Sequence, residues 1–342
     1  MSIKKLITGL TLSLLLASGV AVADNFSSAY ITYQSGDYKA AFKEMLPLAE
    51  QGNVNAQFWI ASMYLNGKVV QQNDKTAVKW YTLSAEQGDK WAQSTLASMY
   101  REGKVVQQND KTAVKWYTLS AEQGFANAQY NLGVMYDFGK GVPENDNTAV
   151  KWYTLASEQG LAKAQYNLGV MYDFGKGVPE HDKTAVKWYT LAAEQGLAKA
   201  QYNLGIMYDF GKGVSENDKT AVKWYTLAAE QGLAKAQYNL GIMYDFGKGV
   251  PENDKTAAKW YTLAAEQGNS SGQYLLGLMY QHGVGVLTDN QRAYMWYNLA
   301  SYNGSERAGE NKDKLAKDMT PADISKAQGM SSRCLKSNYT GC

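Results

Sequence analysis

The sequence predicts an all-α solenoid of stacked helix-turn-helix units, because two kinds of residue recur with one fixed period. Along the 342 residues of the chain, both tryptophan and glycine return every 36 positions. The tryptophans are Trp80, Trp116, Trp152, Trp188, Trp224, Trp260 and Trp296, and the glycines are Gly52, Gly88, Gly124, Gly160, Gly196, Gly232, Gly268 and Gly304. A period of this length is typical of a repeat array in which each unit packs on its neighbours.

The period also predicts the domain organisation. We expect a signal peptide over 1–23, a short opening unit over 24–52, seven 36-residue repeats over 53–304, and a helical cap with a cysteine-bounded tail over 305–342. The seven repeats are 53–88, 89–124, 125–160, 161–196, 197–232, 233–268 and 269–304. Two of them, 197–232 and 233–268, differ at only two positions, as a recent duplication would produce. Identity between copies therefore does not show that a residue is needed.

Each repeat reads as two helices, and the unit 161–196 serves as the example. Its first helix has an apolar face with helical spacing, and its second is expected to start at Asp182 as N-cap and to stop at Gly196. The first face contains Ala164, Leu168, Gly169, Met171 and Tyr172, and the second contains Ala185, Trp188, Tyr189, Ala192 and Ala193. A single pair cannot bury these faces, so we predict stacking, with the tryptophans in the core and the small glycine position allowing close helix approach.

The N-terminus has the pattern of a secretory signal peptide. Lys4 and Lys5 precede an apolar run, which ends in small residues before Asp24, so we expect cleavage after Ala23 and a periplasmic or secreted protein. The alternative is an uncleaved anchor, for which the run is short. No later stretch is expected to cross a bilayer. Cleavage removes two of the 34 Lys and Arg residues and leaves them equal in number to the 32 Asp and Glu residues, which argues against a nucleic-acid partner.

Composition leaves little material for chemistry. The two histidines, His181 and His282, are far apart, and both cysteines lie near the C-terminus, so no zinc site or Cys-His dyad is predicted. We expect no metal, no cofactor and no catalytic residues. A repeat array also spaces like residues evenly, whereas catalysis needs unlike residues at one point.

The recurring pattern A-x-x-x-L-G-x-x-Y, then G-x-G-V, D and A-x-x-W-Y-x-x-A-A-x-x-G resembles the Sel1-like repeat, a relative of the tetratricopeptide repeat with a longer loop between its helices. The resemblance covers 24–304, although the opening unit has the shorter turn of an ordinary tetratricopeptide repeat. The repeats at 53–124 depart from the pattern, with Lys-Val-Val in place of Gly-Lys-Gly-Val and with Ala61 and Ala97 in place of glycine. The family implies a right-handed superhelix that acts as a scaffold for other proteins, and the chain resembles its exported bacterial members.

The last segment differs from the repeats. Residues 306–317 can form a further helix, and Thr320-Pro321 is typical of the start of another, with Thr320 as N-cap. In an oxidising compartment, Cys334 and Cys342 can close a small disulfide that fixes the tail; the alternative is two free thiols.

A binding surface is predicted by analogy with tetratricopeptide repeats, whose first helices line the concave face. The matching positions in four repeats are Tyr130, Asn131, Asp137, Tyr166, Asn167, Asp173, Tyr202, Asn203, Asp209, Tyr238, Asn239 and Asp245. Amide side chains can donate to and accept from an extended peptide backbone, and tyrosines add apolar contact. Trp59, Thr95 and Leu275 replace the asparagine elsewhere, so the groove would be confined to 125–268. The alternative is that these polar residues are merely solvated.

We therefore expect a non-catalytic, monomeric interaction scaffold in the envelope or outside the cell, with an unidentified protein or peptide as its partner. Two alternatives remain open: a secreted enzyme that binds or hydrolyses β-lactams or acts on peptidoglycan, and a structural spacer. The cysteine pair per repeat that marks β-lactam-linked relatives is missing here. The only Ser-x-x-Lys run lies within residues 1–23.

The repeat interpretation predicts the outcome of two deletions. Removing the whole unit 197–232 should leave a shorter helical array, because each unit contacts only its neighbours. Removing half of that unit should expose an apolar face and cause aggregation. Circular dichroism and size-exclusion chromatography would measure both, and equal unfolding of the two variants would contradict a solenoid.

Overall fold

The computed structural model describes residues 25–67, 69–339 and 341–342, so the predicted signal peptide lies outside the described residues. Every regular element in these ranges is a helix, which confirms the all-α prediction. The helices form two compact units, Met1–Leu161, described from residue 25, and Ala162–Cys342. We call these unit 1 and unit 2. No described helix has the length and apolar character needed to span a bilayer.

From residue 25 onward, the described part of unit 1 contains eight helices, and consecutive helices pack on one another in chain order. They are α1 (25–34), α2 (Tyr38–Glu50), α3 (Val54–Asn66), α4 (Asp74–Glu86), α5 (Lys90–Glu102), α6 (Asp110–Glu122), α7 (Ala126–Asp137) and α8 (Asp146–Glu158). We call the first helix of each repeat helix A and the second helix B. In this unit α3, α5 and α7 are A helices.

Unit 2 continues the same alternation and ends in a cap. Its repeat helices are α9 (Ala162–Phe174), α10 (Asp182–Glu194), α11 (Ala198–Asp209), α12 (Asp218–Glu230), α13 (Ala234–Asp245), α14 (Asp254–Ala265), α15 (Ser270–His282) and α16 (Asn290–Tyr302). The cap comprises α17 (Glu306–Leu315), a 3₁₀ turn (Ala316–Asp318) and α18 (Pro321–Lys336). Both α17 and α18 pack on α16 and cover the end of the array. Thr320 caps α18 as predicted, because its side chain accepts a hydrogen bond from the Asp323 amide.

The ends of helix B differ slightly from the prediction. In α10 the N-cap is His181 and not Asp182, since the His181 ring nitrogen accepts from the Thr184 amide at 3.1 Å. Asp182 is the first helical residue, where its charge favours the positive end of the helix dipole. At the other end Gly196 adopts φ +87°, the left-handed conformation that was predicted to stop the helix.

The core is built around tyrosine and not around the periodic tryptophan. In α10 the Tyr189 side chain is fully buried, whereas Trp188 beside it is only half-buried. The same tyrosine is fully buried in six repeats, as Tyr117, Tyr153, Tyr189, Tyr225, Tyr261 and Tyr297. Trp296 is the one fully buried member of the tryptophan series within the described residues. The predicted tryptophan core was therefore wrong for most repeats.

Glycine recurs at one position of helix A for a specific reason. A Cβ added to Gly205 would lie 2.6 Å from ring carbons of Tyr225, closer than any real contact allows. The glycine therefore makes room for the buried ring of its own repeat, which is a different reason from the predicted close approach of helix backbones. Gly169 has the same relation to Tyr189, and Gly241 to Tyr261.

A buried glutamine relay joins neighbouring repeats. Gln201 of α11 donates to the carbonyl of Ala193, at the end of the preceding helix B, at 3.1 Å. The Gln201 side-chain oxygen accepts from Gln231, at the end of its own helix B, at 2.7 Å. Gln237 repeats both bonds with Ala229 and Gln267. Because Gln201 and Gln237 are nearly inaccessible to solvent, these hydrogen bonds satisfy groups that would otherwise be costly to bury.

The C-terminal tail is attached to the last repeat. Cys334 and Cys342 lie at disulfide-bonding distance, with their Cα atoms 5.4 Å apart. Tyr339, between them, donates its hydroxyl to the Asn303 side chain at 2.9 Å. The tail therefore folds back on the turn that follows α16.

The burial pattern predicts that tyrosine matters more to stability than the neighbouring tryptophan. Tyr189→Ala should cost about 3–5 kcal/mol, because it empties a closed site. Trp188→Ala should cost about half as much, since much of that side chain stays in contact with solvent. Urea midpoints of the two variants and the parent would measure this order. A larger loss for Trp188→Ala would show that the core is assigned to the wrong residue.

Candidate peptide-binding surface

The A helices present one exposed side to solvent, which we call the A face. In α9 it consists of Lys163, Asn167, Val170 and Phe174, at helical spacings of four, three and four. Equivalent sets in unit 2 are Lys199, Asn203, Ile206 and Phe210 in α11, and Lys235, Asn239, Ile242 and Phe246 in α13. In unit 1, α7 has Asn127, Asn131, Val134 and Phe138. The lysines and phenylalanines are exposed, and the central pairs are half-buried.

The phenylalanines are the part of the A face that sequence reasoning missed. Phe138 is 63% exposed and Phe174 67%, and the same holds for Phe210 at 67% and Phe246 at 68%. The other described repeats have Asn66, Glu102 or His282 at this position, so the fold does not require an aromatic residue there. The helical spacing from Asn167 and Val170 could have revealed them. Recurrent exposed aromatic rings are candidates for partner contact.

The aspartates have an internal partner. Asp173 accepts a hydrogen bond from the buried Tyr189 hydroxyl at 3.0 Å. The pairs Tyr153 with Asp137, Tyr225 with Asp209 and Tyr261 with Asp245 have the same bond at 2.9 to 3.1 Å. In the last repeat Gln281 replaces the aspartate and accepts from Tyr297. The first role of these carboxylates is therefore to accept a hydrogen bond from a buried hydroxyl group. They are neither merely solvated nor free to bind a partner.

Burial shifts the acidity of this pair. It raises the pKa of Asp173 above the usual carboxyl value, although the bond from Tyr189 acts in the opposite direction. Burial, followed by the charge of Asp173, also raises the pKa of Tyr189. The hydroxyl therefore remains protonated and can act as the donor.

The tyrosines and asparagines predicted to bind peptide lie around these pairs. Tyr166 packs on Tyr189 with ring centroids 5.9 Å apart, and Tyr130, Tyr202 and Tyr238 pack in the same way in their repeats. In unit 2, Asn203 forms side-chain hydrogen bonds with Tyr166 and Tyr189 of the preceding repeat, which partly oppose the burial that raises the pKa of both tyrosines. Asn239 does the same for Tyr202 and Tyr225. In unit 1, Asn131 accepts from Arg101 at 2.7 Å. The asparagines are half-buried, not fully exposed as the sequence suggested.

In both units the same kind of surface recurs from repeat to repeat. Among the residues described, reactive side chains do not converge on one point. In those ranges no group of three or more His, Cys, Asp or Glu residues is placed to hold a metal ion. The A face offers apolar rings, amides and ammonium groups in a regular series. Such a surface is suited to contact with another chain.

Stacked two-helix repeats, each with a turn and loop of this length, define an α-solenoid of the tetratricopeptide-like class. The sequence model of the Sel1 repeat matches seven segments, 54–89, 92–125, 126–161, 162–197, 198–233, 234–269 and 270–305. The chain therefore belongs to the Sel1 repeat family, as its repeat pattern predicted.

A solved structure supports the same fold. The chain is similar to the crystal structure of a Sel1 repeat protein from Oxalobacter formigenes, with 33% identity, 86% of each chain covered and a TM-score of 0.67. It is also similar to a protective antigen of uropathogenic Escherichia coli that displays an SLR fold, with 27% identity, 95% of this chain and 94% of that chain covered, and a TM-score of 0.46. No curated protein sequence matches the chain.

The Asp–Tyr pair predicts a defined pH dependence. Because burial raises the pKa of Asp173 and Asp245, the folded state binds these protons more readily than the unfolded state. Their contribution to stability is therefore greatest at low pH and is lost as the pH rises through the folded-state pKa. In the double variant D173N/D245N an amide oxygen still accepts from each tyrosine but cannot titrate, so this part of the pH dependence should disappear.

Urea midpoints measured from pH 7 to pH 4 would test this expectation. D173A is the contrasting variant, because it leaves the buried Tyr189 hydroxyl without its acceptor and should lose about 1–3 kcal/mol at every pH. If D173N/D245N keeps the pH profile of the parent, the carboxylates do not titrate differently in the folded protein.

Proposed function

We propose that this protein is an exported, non-catalytic scaffold that binds an extended segment of another protein on its A face. Repeats of this family commonly mediate protein interactions. The observation on which the proposal rests is the series of exposed phenylalanines at a position that the fold leaves free to vary. Exposing a large apolar ring has no benefit to folding, so the exposure of these rings, and not their recurrence among duplicated repeats, favours a role in contact.

The spacing of the A helices suits an extended peptide. Successive A helices lie within side-chain reach of each other, since Asn203 of α11 forms a hydrogen bond with Tyr166 of α9. Helices this close are about 8–10 Å apart, and an extended chain advances about 3.3 Å per residue. A peptide that crosses the A helices of unit 2 would therefore meet a new repeat about every three residues. Apolar side chains of the peptide would contact Phe174, Phe210 and Phe246 in turn.

The polar residues of the A face would have a second role in this scheme. We propose that in unit 2 Asn167, Asn203 and Asn239, together with the tyrosines and aspartates beside them, form a polar floor that contacts the peptide backbone. Asn131 would make the same kind of contact within unit 1. Since Asn203 and Asn239 also serve tyrosine hydroxyls, replacing them would disturb folding as well as binding. The phenylalanines are therefore the cleaner positions for a test.

We place the protein in the periplasm or outside the cell, as a monomer with residues 1–23 removed. The basic and apolar pattern of that segment supports export. The cysteine pair at disulfide-bonding distance is compatible with an oxidising compartment.

A triple variant, F174N/F210N/F246N, tests the peptide-binding proposal. Asparagine is chosen because Asn66 occupies this position in another repeat, so the fold should be kept. Peptides selected on the parent protein from a random displayed library should bind the triple variant about a hundredfold less tightly or worse, because each ring contributes buried apolar area. Fluorescence anisotropy with labelled peptides would measure the loss.

The matched control is L287N. Leu287 is 89% exposed and lies in a loop away from the A face, so its removal should leave the affinity unchanged. Peptides that bind the parent and the triple variant equally well would rule out the phenylalanines as the contact. Failure to select any peptide would contradict the proposal as a whole.

A further inference from the structure

A cavity of about 500 Å³ opens in unit 1, at the start of α3 and α5. Its walls include Phe58, Trp59 and Trp91 as aromatic groups, and Asn55, Asp89 and Lys90 as polar groups. A volume in this range is typical of small-molecule sites. The cavity lies in the two repeats that depart from the family pattern, and the proposed peptide surface of unit 2 does not use it.

The helix packing of this repeat does not require tryptophan at position 91. Asn127 and Lys163 occupy the same position in the next two repeats, so a polar side chain satisfies the fold there. Trp91 remains 42% exposed. Phe125 stacks on its ring with centroids 4.9 Å apart, which fixes the plane of the indole.

Trp59 is held even more firmly. It occupies the position of the A-face asparagine. The centroid of its ring lies 4.6 Å from that of Tyr33, 5.2 Å from that of Tyr30 and 5.6 Å from that of Phe58. These three rings set its orientation from different sides. The cavity therefore has two pre-positioned indoles, and a ligand would not have to order them.

The polar groups supply both donors and acceptors. The Asp89 carboxylate accepts from the Ala92 amide at 2.6 Å and is partly buried, so its orientation is fixed by the start of α5. The Lys90 ammonium lies 4.4 Å from the centre of the Trp91 ring, so a ligand that stacks on this ring would displace it. The displaced ammonium could then donate to a hydroxyl group of that ligand. Asn55 is exposed at the rim and has an amide that can both donate and accept.

The charges restrict the ligand class. Lys90 disfavours a cationic ligand and Asp89 an anionic one, while the polar lining is a poor match for a purely apolar side chain. A neutral molecule with one apolar face and several hydroxyl groups satisfies all of these groups. The C–H face of a pyranose ring fits the electron-rich face of an indole, and its hydroxyl groups fit amide, ammonium and carboxylate partners.

We infer that this cavity binds a neutral saccharide, one or two rings of which stack on Trp59 and Trp91. The ligand is defined by this shared chemistry, whether it is a free sugar or part of a longer glycan. The inference is independent of the peptide-binding proposal, because the residues involved lie in a different unit.

Isothermal titration calorimetry of the chain without residues 1–23 tests the inference. The probes are maltose, cellobiose and N,N′-diacetylchitobiose, each also as the hexasaccharide. We expect at least one probe to bind, and W91N to weaken its binding at least about tenfold, which corresponds to about 1.4 kcal/mol. Binding of disaccharides would indicate a free sugar as the source, and binding of hexasaccharides alone would indicate a glycan chain.

The variants are chosen so that loss of fold is not mistaken for loss of binding. W91N and W91K introduce the side chains that Asn127 and Lys163 supply in the following repeats, and circular dichroism would check both. L287N, which changes an exposed side chain in the loop between α15 and α16, should bind the sugar like the parent. Absence of binding by every probe, or equal affinity of the parent, W91N and W91K, would overturn the inference. So would binding, through Trp91, of an aromatic tripeptide in the absence of any saccharide binding.

Discussion

The structure depends on one buried tyrosine per repeat. Its ring fills the space above a helix-A glycine, as Tyr225 does above Gly205, and its hydroxyl needs an acceptor in a region that excludes water. The ring requires a small residue on the first helix, and in the repeats over 125–304 the hydroxyl has an acceptor one turn later, such as Asp209. Two positions of helix A are therefore determined by a residue of helix B, which is why the repeat behaves as one unit.

Because of this constraint, some positions of the A face also serve the buried tyrosines, whereas other positions are free to vary. Asp173 and Asn203 lie on or beside the exposed side, yet both serve the tyrosine cluster. Lys163 and Phe174 have no such duty and are exposed at opposite ends of the same helix. Sequence change at the free positions can alter what the surface binds without altering the core. A divergent repeat of unit 1 shows the extent of that freedom, since Trp91 stands at the position that Lys163 occupies in unit 2.

The fold could be predicted from the sequence because many residues share the 36-residue period, and the period does not depend on the role assigned to any one of them. The site could be predicted only in part. Helical spacing placed Tyr166, Asn167 and Asp173 on the first helix, but their hydrogen bonds run to other helices, and spacing within one helix cannot reveal them. Trp188 was assigned to the core because the tryptophans recur with the repeat period, although a turn of 100° per residue means that Trp188 and Tyr189 cannot point inward equally. His181 was passed over as N-cap because asparagine or aspartate is the commoner choice.

The glutamine relay has a consequence for how such a chain can be inherited. Gln201 must reach Ala193 on one side and Gln231 on the other, so inserting one residue in its helix would rotate the amide by about 100° and break both bonds in a dry interior. Copying a complete repeat preserves every bond and adds a new pair at the junction. The array can therefore change in length by whole repeats without loss of these hydrogen bonds. The near-identical sequences at 197–232 and 233–268 are what such a step leaves behind.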